Sequence, residues 1–189
     1  MKFCDKQQII EELGVITTLR ENRNRVANLI LKSESNFLPL LEVVFNTTKK
    51  VSFRAAWVLE YVIHKKTNWL LKHIDYFTNN ISKIKNGSAV RSVAKVCELF
   101  ALYLDKKPHE KEKYKTNIKQ IIETGFDWML SEHKIAIKVY TMQTLFLFGK
   151  DQFWIHQELK IILENNLHKE SFGYRNRALK ILDKINILK

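Results

Sequence analysis

The residues best suited to metal or nucleophilic chemistry are six histidines and two cysteines: His64, His73, His109, His133, His156, His168, Cys4 and Cys97. No two histidines stand in an HxxxH or HExxH spacing, and the two thiols are far apart. The patterns that bring several ligands to one zinc ion are therefore missing. No glycine-rich phosphate loop and no Gly-x-Ser-x-Gly nucleophile elbow occurs. No metal and no cofactor are expected. Cys97 falls in an apolar slot of a helical pattern and reads as a small core residue. Two distant thiols make no disulfide framework, which fits a reducing compartment. One constellation remains: Arg54, Trp57 and Glu60, a cation, an aromatic plate and an acid on one helix sector. Glu60, Glu98 and Asp183 recur at one register position, where neutralising a nearby Lys or Arg explains them better than catalysis does.

The elements that carry these residues follow a repeat. Five segments align on a polar anchor at Arg25, Arg54, Ser92, Lys138 and Arg177, spaced by 29, 38, 46 and 39 residues. Counting the anchor as zero, positions 1, 4 and 8 are small or apolar, and position 5 is apolar except at Gln143. That is one stripe of a helix with 3.6 residues per turn. A second amphipathic segment precedes each anchor: about Lys6 to Gly14, Phe37 to Phe45, Trp69 to Ile84, Ile118 to Leu130, and Phe153 to Leu167. Asn86-Gly87-Ser88 and Gly149-Lys150-Asp151 can each end one helix and cap the next. The charged run from Asp105 to Lys113, with Pro108, predicts a mobile loop. With only 5 Gly and 2 Pro, an all-β fold of many short strands is excluded.

Five helix pairs, each unable to bury its own stripe, must stack to share a continuous core. Phe37-Leu38-Pro39-Leu40-Leu41 on a first helix, with Phe53-Arg54-Ala55-Ala56 and Val90-Arg91-Ser92-Val93-Ala94 on second helices, resembles the HEAT-repeat and armadillo-like superhelix family. The resemblance covers nearly the whole chain. It implies an all-α fold, an α-α superhelix of about five stacked pairs and about ten helices, forming a single domain over residues 1–189. It also implies that the second helices line a concave groove.

A second resemblance lies in Arg54-Ala55-Ala56-Trp57-Val58-Leu59-Glu60, the run from Ser88 to Glu98, Phe126-Asp127-Trp128 and the run from Trp154 to Lys160. These are similar to a family of short bacterial helical proteins often labelled adenylosuccinate lyase. The label implies a fumarate-releasing β-elimination. The lyases proper carry a Gly-Ser-Ser-x-Met-Pro-x-Lys-x-Asn loop that supplies a catalytic serine. Gly87-Ser88-Ala89 is the nearest fragment and lacks the continuation, so no catalytic residue is assigned. By analogy with HEAT-like alkylpurine DNA glycosylases, which use Trp, Asp and Arg in a basic groove, Arg54, Trp57 and Glu60 would be the matching residues. Glu then stands where those enzymes use Asp.

Lys and Arg number 32 against 20 Asp and Glu, a net charge of +12. Between Lys49 and Lys95 stand Lys49, Lys50, Arg54, Lys65, Lys66, Lys72, Lys83, Lys85, Arg91 and Lys95. Only Glu60 and Asp75 oppose them, so +8 of the +12 sits in a quarter of the chain. Such a surface suits nucleic acid, an acidic protein or phospholipid head groups. Solvated helix exteriors, or the average composition of the source proteome, are the plainer readings, since lysine is strongly hydrated and reads bases poorly. No RNA-binding aromatic motif, Cys/His finger or basic zipper occurs.

On the second helices, positions 0, 3, 6, 7 and 10 point away from the stripe. They give a groove of Arg54, Trp57, Tyr61, Lys95, Leu99, Lys138 and Leu145, aromatic and apolar in the middle with a basic rim. That is how protein-binding grooves are built. Anchors of the Arg54 kind also pair structurally with an acid in a neighbouring turn, but Thr47-Thr48-Lys49-Lys50 offers none. Trp57 has the alternative of packing on a neighbouring helix. The expected function is a non-catalytic module binding an acidic protein or peptide; nucleic-acid binding is the alternative, and the lyase label stands third. The N-terminus has no signal-peptide core and no apolar run reaches membrane length, so a cytoplasmic location is expected. An exposed apolar end of the array would favour dimerisation, but the pattern does not encode an oligomeric state.

Overall fold

The computed structural model describes residues 5–14, 20–46 and 49–188, with side chains from 24 in the second segment and from 50 in the third. Within them lie eleven α-helices and no strand. They are α1 (Lys6–Gly14), α2 (Arg20–Ile30), α3 (Phe37–Asn46), α4 (Lys49–Lys65), α5 (Thr67–Leu71) and α6 (Ile74–Ile81). There follow α7 (Gly87–Asp105), α8 (Lys115–Leu130), α9 (Ile135–Gly149), α10 (Phe153–Asn166) and α11 (Phe172–Ile187). The five anchors fall on α2, α4, α7, α9 and α11. Four of the five preceding segments form one helix each. The third, Trp69 to Ile84, is broken between α5 and α6. At the break Lys72 pairs with Glu34 at 2.7 Å and the His73 ring packs 5.7 Å from the Phe37 ring. Both contacts tie the kink to the segment that starts α3.

The predicted stripe is the core. Ala55, Val58 and Val62 on α4, Val93, Val96 and Phe100 on α7, and Ala178, Ile181 and Ile185 on α11 are all buried. At position 5 Ile30, Leu59, Cys97 and Leu182 are buried, and so is the polar exception Gln143. Cys97 is a free thiol in the core, and burial pushes its pKa up. Its counterpart Cys4 lies outside the described residues.

The chain divides into two compact units, residues 1–96 and 97–189, with the boundary inside α7. In the first, α4 is the hub and packs against α1, α2, α3 and α5. In the second, α9 packs against α8, α10 and α11. The nine residues Thr141 to Gly149 are all buried, because α8, α10 and α11 all pack on this helix.

Local signals set the helix ends. Asn86 Oδ1 accepts from the backbone N–H groups of Ser88 at 2.9 Å and Ala89 at 3.2 Å, which caps α7. Ser171 Oγ accepts from Tyr174 N at 3.4 Å at the start of α11. Gly149 serves a close approach, not a cap: a Cβ there would run into the buried His156 ring. That ring stacks on Phe146 at 5.3 Å, with Nε2 2.8 Å from the Phe146 carbonyl. Asp151 next to it pairs with Lys111. The charged run from Asp105 to Lys113 corrects the loop expectation. It folds into two short 3-10 turns, Pro108–Glu110 and Glu112–Tyr114. Lys111–Asp151 and Lys150–Asp105 pin it, and Tyr103 donates to Glu110. A densely charged run became ordered because Asp105 and Lys111 each found an opposite charge.

Candidate functional site

Every repeat anchor reaches another part of the chain. Arg25 Nη2 donates to Glu12 Oε2 at 2.8 Å. Arg54 Nη1 donates to the carbonyl oxygens of Leu13 and Gly14, 2.9 Å each. Ser92 Oγ donates to Glu60 Oε2 at 2.7 Å, and Arg91 Nη1 reaches the same oxygen at 2.9 Å. Lys138 Nζ meets Glu170 Oε1 at 2.6 Å. Arg177 Nη2 donates to Gln143 Oε1 at 2.9 Å and lies 3.6 Å from Glu98 Oε1. The anchors form a ladder of links between helices, and two of the acids at position 6 receive it.

This revises part of the predicted groove. Arg54 needs no acid in the neighbouring turn, because the last carbonyls of α1 have no partner within their helix and carry its negative dipole end. Its guanidinium is half-buried there. Lys138 is mostly buried in its ion pair, its side chain 12% exposed. Leu145 is a correction. It is fully buried on α9, where a Cβ at Gly125 on α8 would press on its side chain, and belongs to the core. The helix-face count failed there because the stretch of α9 from Thr141 to Gly149 has no outward face. Leu99 and Lys95 are half-buried on α7. Of the Arg54, Trp57 and Glu60 constellation, Arg54 holds backbone and Glu60 holds Arg91 and Ser92.

What remains is an aromatic row on α4. Phe53, Trp57 and Tyr61 stand four residues apart on one face, each half-buried. The Phe53 and Trp57 rings meet edge to face at 4.9 Å. Phe53 was missed in the sequence pattern because it precedes the anchor, although its spacing from Trp57 was visible. Two further residues were missed. Glu170 carried no periodic signal, whereas Gln143, the one polar residue at position 5, did.

The basic patch spreads over several contacts. Lys50 is exposed at the start of α4, and Lys65 and Lys66 are exposed at its end. At 1.5 Å rise per residue that separates the two groups by about 22 Å. Lys72 is paired with Glu34, Lys83 Nζ donates to Asn80 Oδ1 at 2.9 Å, and Arg91 is paired with Glu60. Lys85 is exposed. The Lys49 side chain lies outside the described residues.

In the second unit, burial and the Glu170 charge push the Tyr174 phenol up to about 12. Burial lowers the pKa of His73 against the opposing pull of Glu34, with Lys72 adding to the lowering. Burial and then Lys138 lower that of His133. Among the described residues no three His, Cys, Asp or Glu side chains cluster to hold a metal ion, and no helix is long and apolar enough to cross a membrane.

Paired amphipathic helices linked by an anchor ladder define an all-α helical-repeat protein. The chain matches the HEAT repeat domain over residues 15–185, and it belongs to that family. No curated protein and no solved structure matches it.

Proposed function

We propose that this HEAT-repeat protein is a non-catalytic interaction module. It binds an acidic protein or peptide on the α4 face of its first unit. Trp57 and Tyr61 are the anchors, Phe53 backs Trp57, and Lys50, Lys65 and Lys95 attract the partner. The observation that carries this reading is the aromatic row Phe53, Trp57 and Tyr61, each half-exposed on the side of α4 away from its buried stripe. Aromatic side chains give large contact area at low entropic cost, and a charged surround speeds encounter without supplying most of the affinity. Arg54 and Glu60 already link helices, which favours binding over glycosidic or lyase chemistry at this place.

A selection of random displayed peptides on the immobilised protein tests it. Recovered peptides should be rich in Asp and Glu around an apolar residue. Trp57→Ala with Tyr61→Ala should weaken them more than about tenfold while the helical circular dichroism is kept. Peptides that bind the double variant equally well would sink the proposal. A parallel titration with duplex DNA at low and physiological salt separates the alternative. Tight binding that falls steeply with salt and survives loss of both aromatics would put the lysines first.

A further inference from the structure

Among the described residues, every strongly exposed large apolar side chain lies between Leu130 and Leu188. Five of them share the outer side of the last helix pair. On α11, Phe172, Leu179 and Ile187 are 76%, 51% and 82% exposed. With Asn176 and Asp183 they occupy one stripe, spaced 4, 3, 4 and 4 residues apart, opposite the buried stripe of Tyr174, Ala178, Ile181 and Ile185. On α10, Phe153 and Ile161 are exposed away from the buried Ile155, Leu159 and Leu163. Both helices therefore have two apolar sides. One packs within the unit, and no described helix covers the other.

The charges around this face differ in balance between the two helices. On α10 exposed Glu158 and Glu164 flank it, with Lys160 3.7 Å from Glu164, while on α11 exposed Arg175 and Lys180 flank it beside the exposed Asp183. We infer that the face is a docking surface for a second copy of this chain, joined about a two-fold axis between α10 and α11. A two-fold contact requires one patch to complement itself, so that each pairing occurs twice. Rotation about that axis lays Glu158 and Glu164 of each copy across Arg175 and Lys180 of the other. The five apolar side chains leave on the order of 600 Å² exposed. With their polar neighbours that approaches the roughly 800 Å² per partner of a stable interface.

Sedimentation of the full chain across a concentration series tests it. The expected result is a monomer–dimer equilibrium that stops at the dimer. Phe172→Glu with Leu179→Glu should raise the dissociation constant more than about tenfold while the melting transition is kept, since both side chains are exposed. Two charge-reversed proteins sharpen the geometry: Glu158→Lys with Glu164→Lys, and Arg175→Glu with Lys180→Glu. Each alone should dimerise poorly, and an equimolar mixture should recover the dimer, because only the mixed pair restores both sets of opposite charges. A monomer at every concentration, a dimer indifferent to the apolar substitutions, or open-ended growth would each overturn the inference.

Discussion

The two units solve the same packing problem differently. In the first, the hub α4 buries one stripe and leaves Phe53, Trp57 and Tyr61 half-exposed. In the second, the hub α9 is enclosed, with nine consecutive buried residues, and the surplus apolar surface appears on α10 and α11. A helix with a free side can offer specific anchors. A helix with none passes that role to its neighbours. The same contrast holds for the ladder. Arg91 and Glu60 meet at 2.9 Å with side chains 37% and 18% exposed, whereas Arg177 lies 3.6 Å from a Glu98 side chain only 6% exposed.

The strongest break of this comparison is Gly149→Ala. The added methyl meets the His156 ring, which is held by the Phe146 carbonyl and ring. Relief means losing that hydrogen bond or shifting α10. We expect a loss of about 3 kcal/mol in urea unfolding, or no stable fold. An equally mild substitution in the first unit, Gly14→Ala, meets open space and should stay within about 0.5 kcal/mol.

Next come the ladder residues. Arg177→Met takes a cation from beside the buried Glu98 carboxylate and a donor from Gln143. The cost should be about 2 kcal/mol, below that of a fully buried pair because Arg177 is one-third exposed. Adding Glu98→Gln should recover part of it. Arg91→Met leaves Glu60 half-exposed with Ser92 still donating, so the cost should be under about 1 kcal/mol. Equal effects in the two units would erase the contrast. Arg54→Met releases two carbonyl oxygens of α1 and should cost about 1–2 kcal/mol with peptide capture unchanged. Loss of capture with stability intact would return Arg54 to the binding face.

The smallest expected effect is a pH dependence with one contribution from each unit. His73 and His133 both have pKa values lowered in the folded chain. The unfolded rings protonate near pH 6.5. Below that value the unfolded state binds more protons, and stability falls until the folded rings protonate as well. The urea midpoint should therefore drop between about pH 7.5 and about pH 5.5. His73→Gln and His133→Gln should each flatten that drop. A midpoint that rises on acidification would contradict both assignments.

Periodicity alone was enough for the five anchors, the stripe at positions 1, 4 and 8, and ten helical segments, because a local 3.6-residue pattern encodes helix and buried face together. The cap at Asn86 and the core place of Cys97 were legible for the same local reason. The break between α5 and α6, the order of the run from Asp105 to Lys113 and the burial of Leu145 were not. Each depends on a partner distant in sequence: Glu34 and Phe37, Asp151 and Lys150, and Gly125. The ladder shows the division most clearly. Its donors and the acids Glu60 and Glu98 could be read from one register, but its other acceptors are Glu12, backbone carbonyls of α1, a lone Gln143 and Glu170. An acceptor's identity depends on which atoms packing leaves unpaired, and only the tertiary structure decides that.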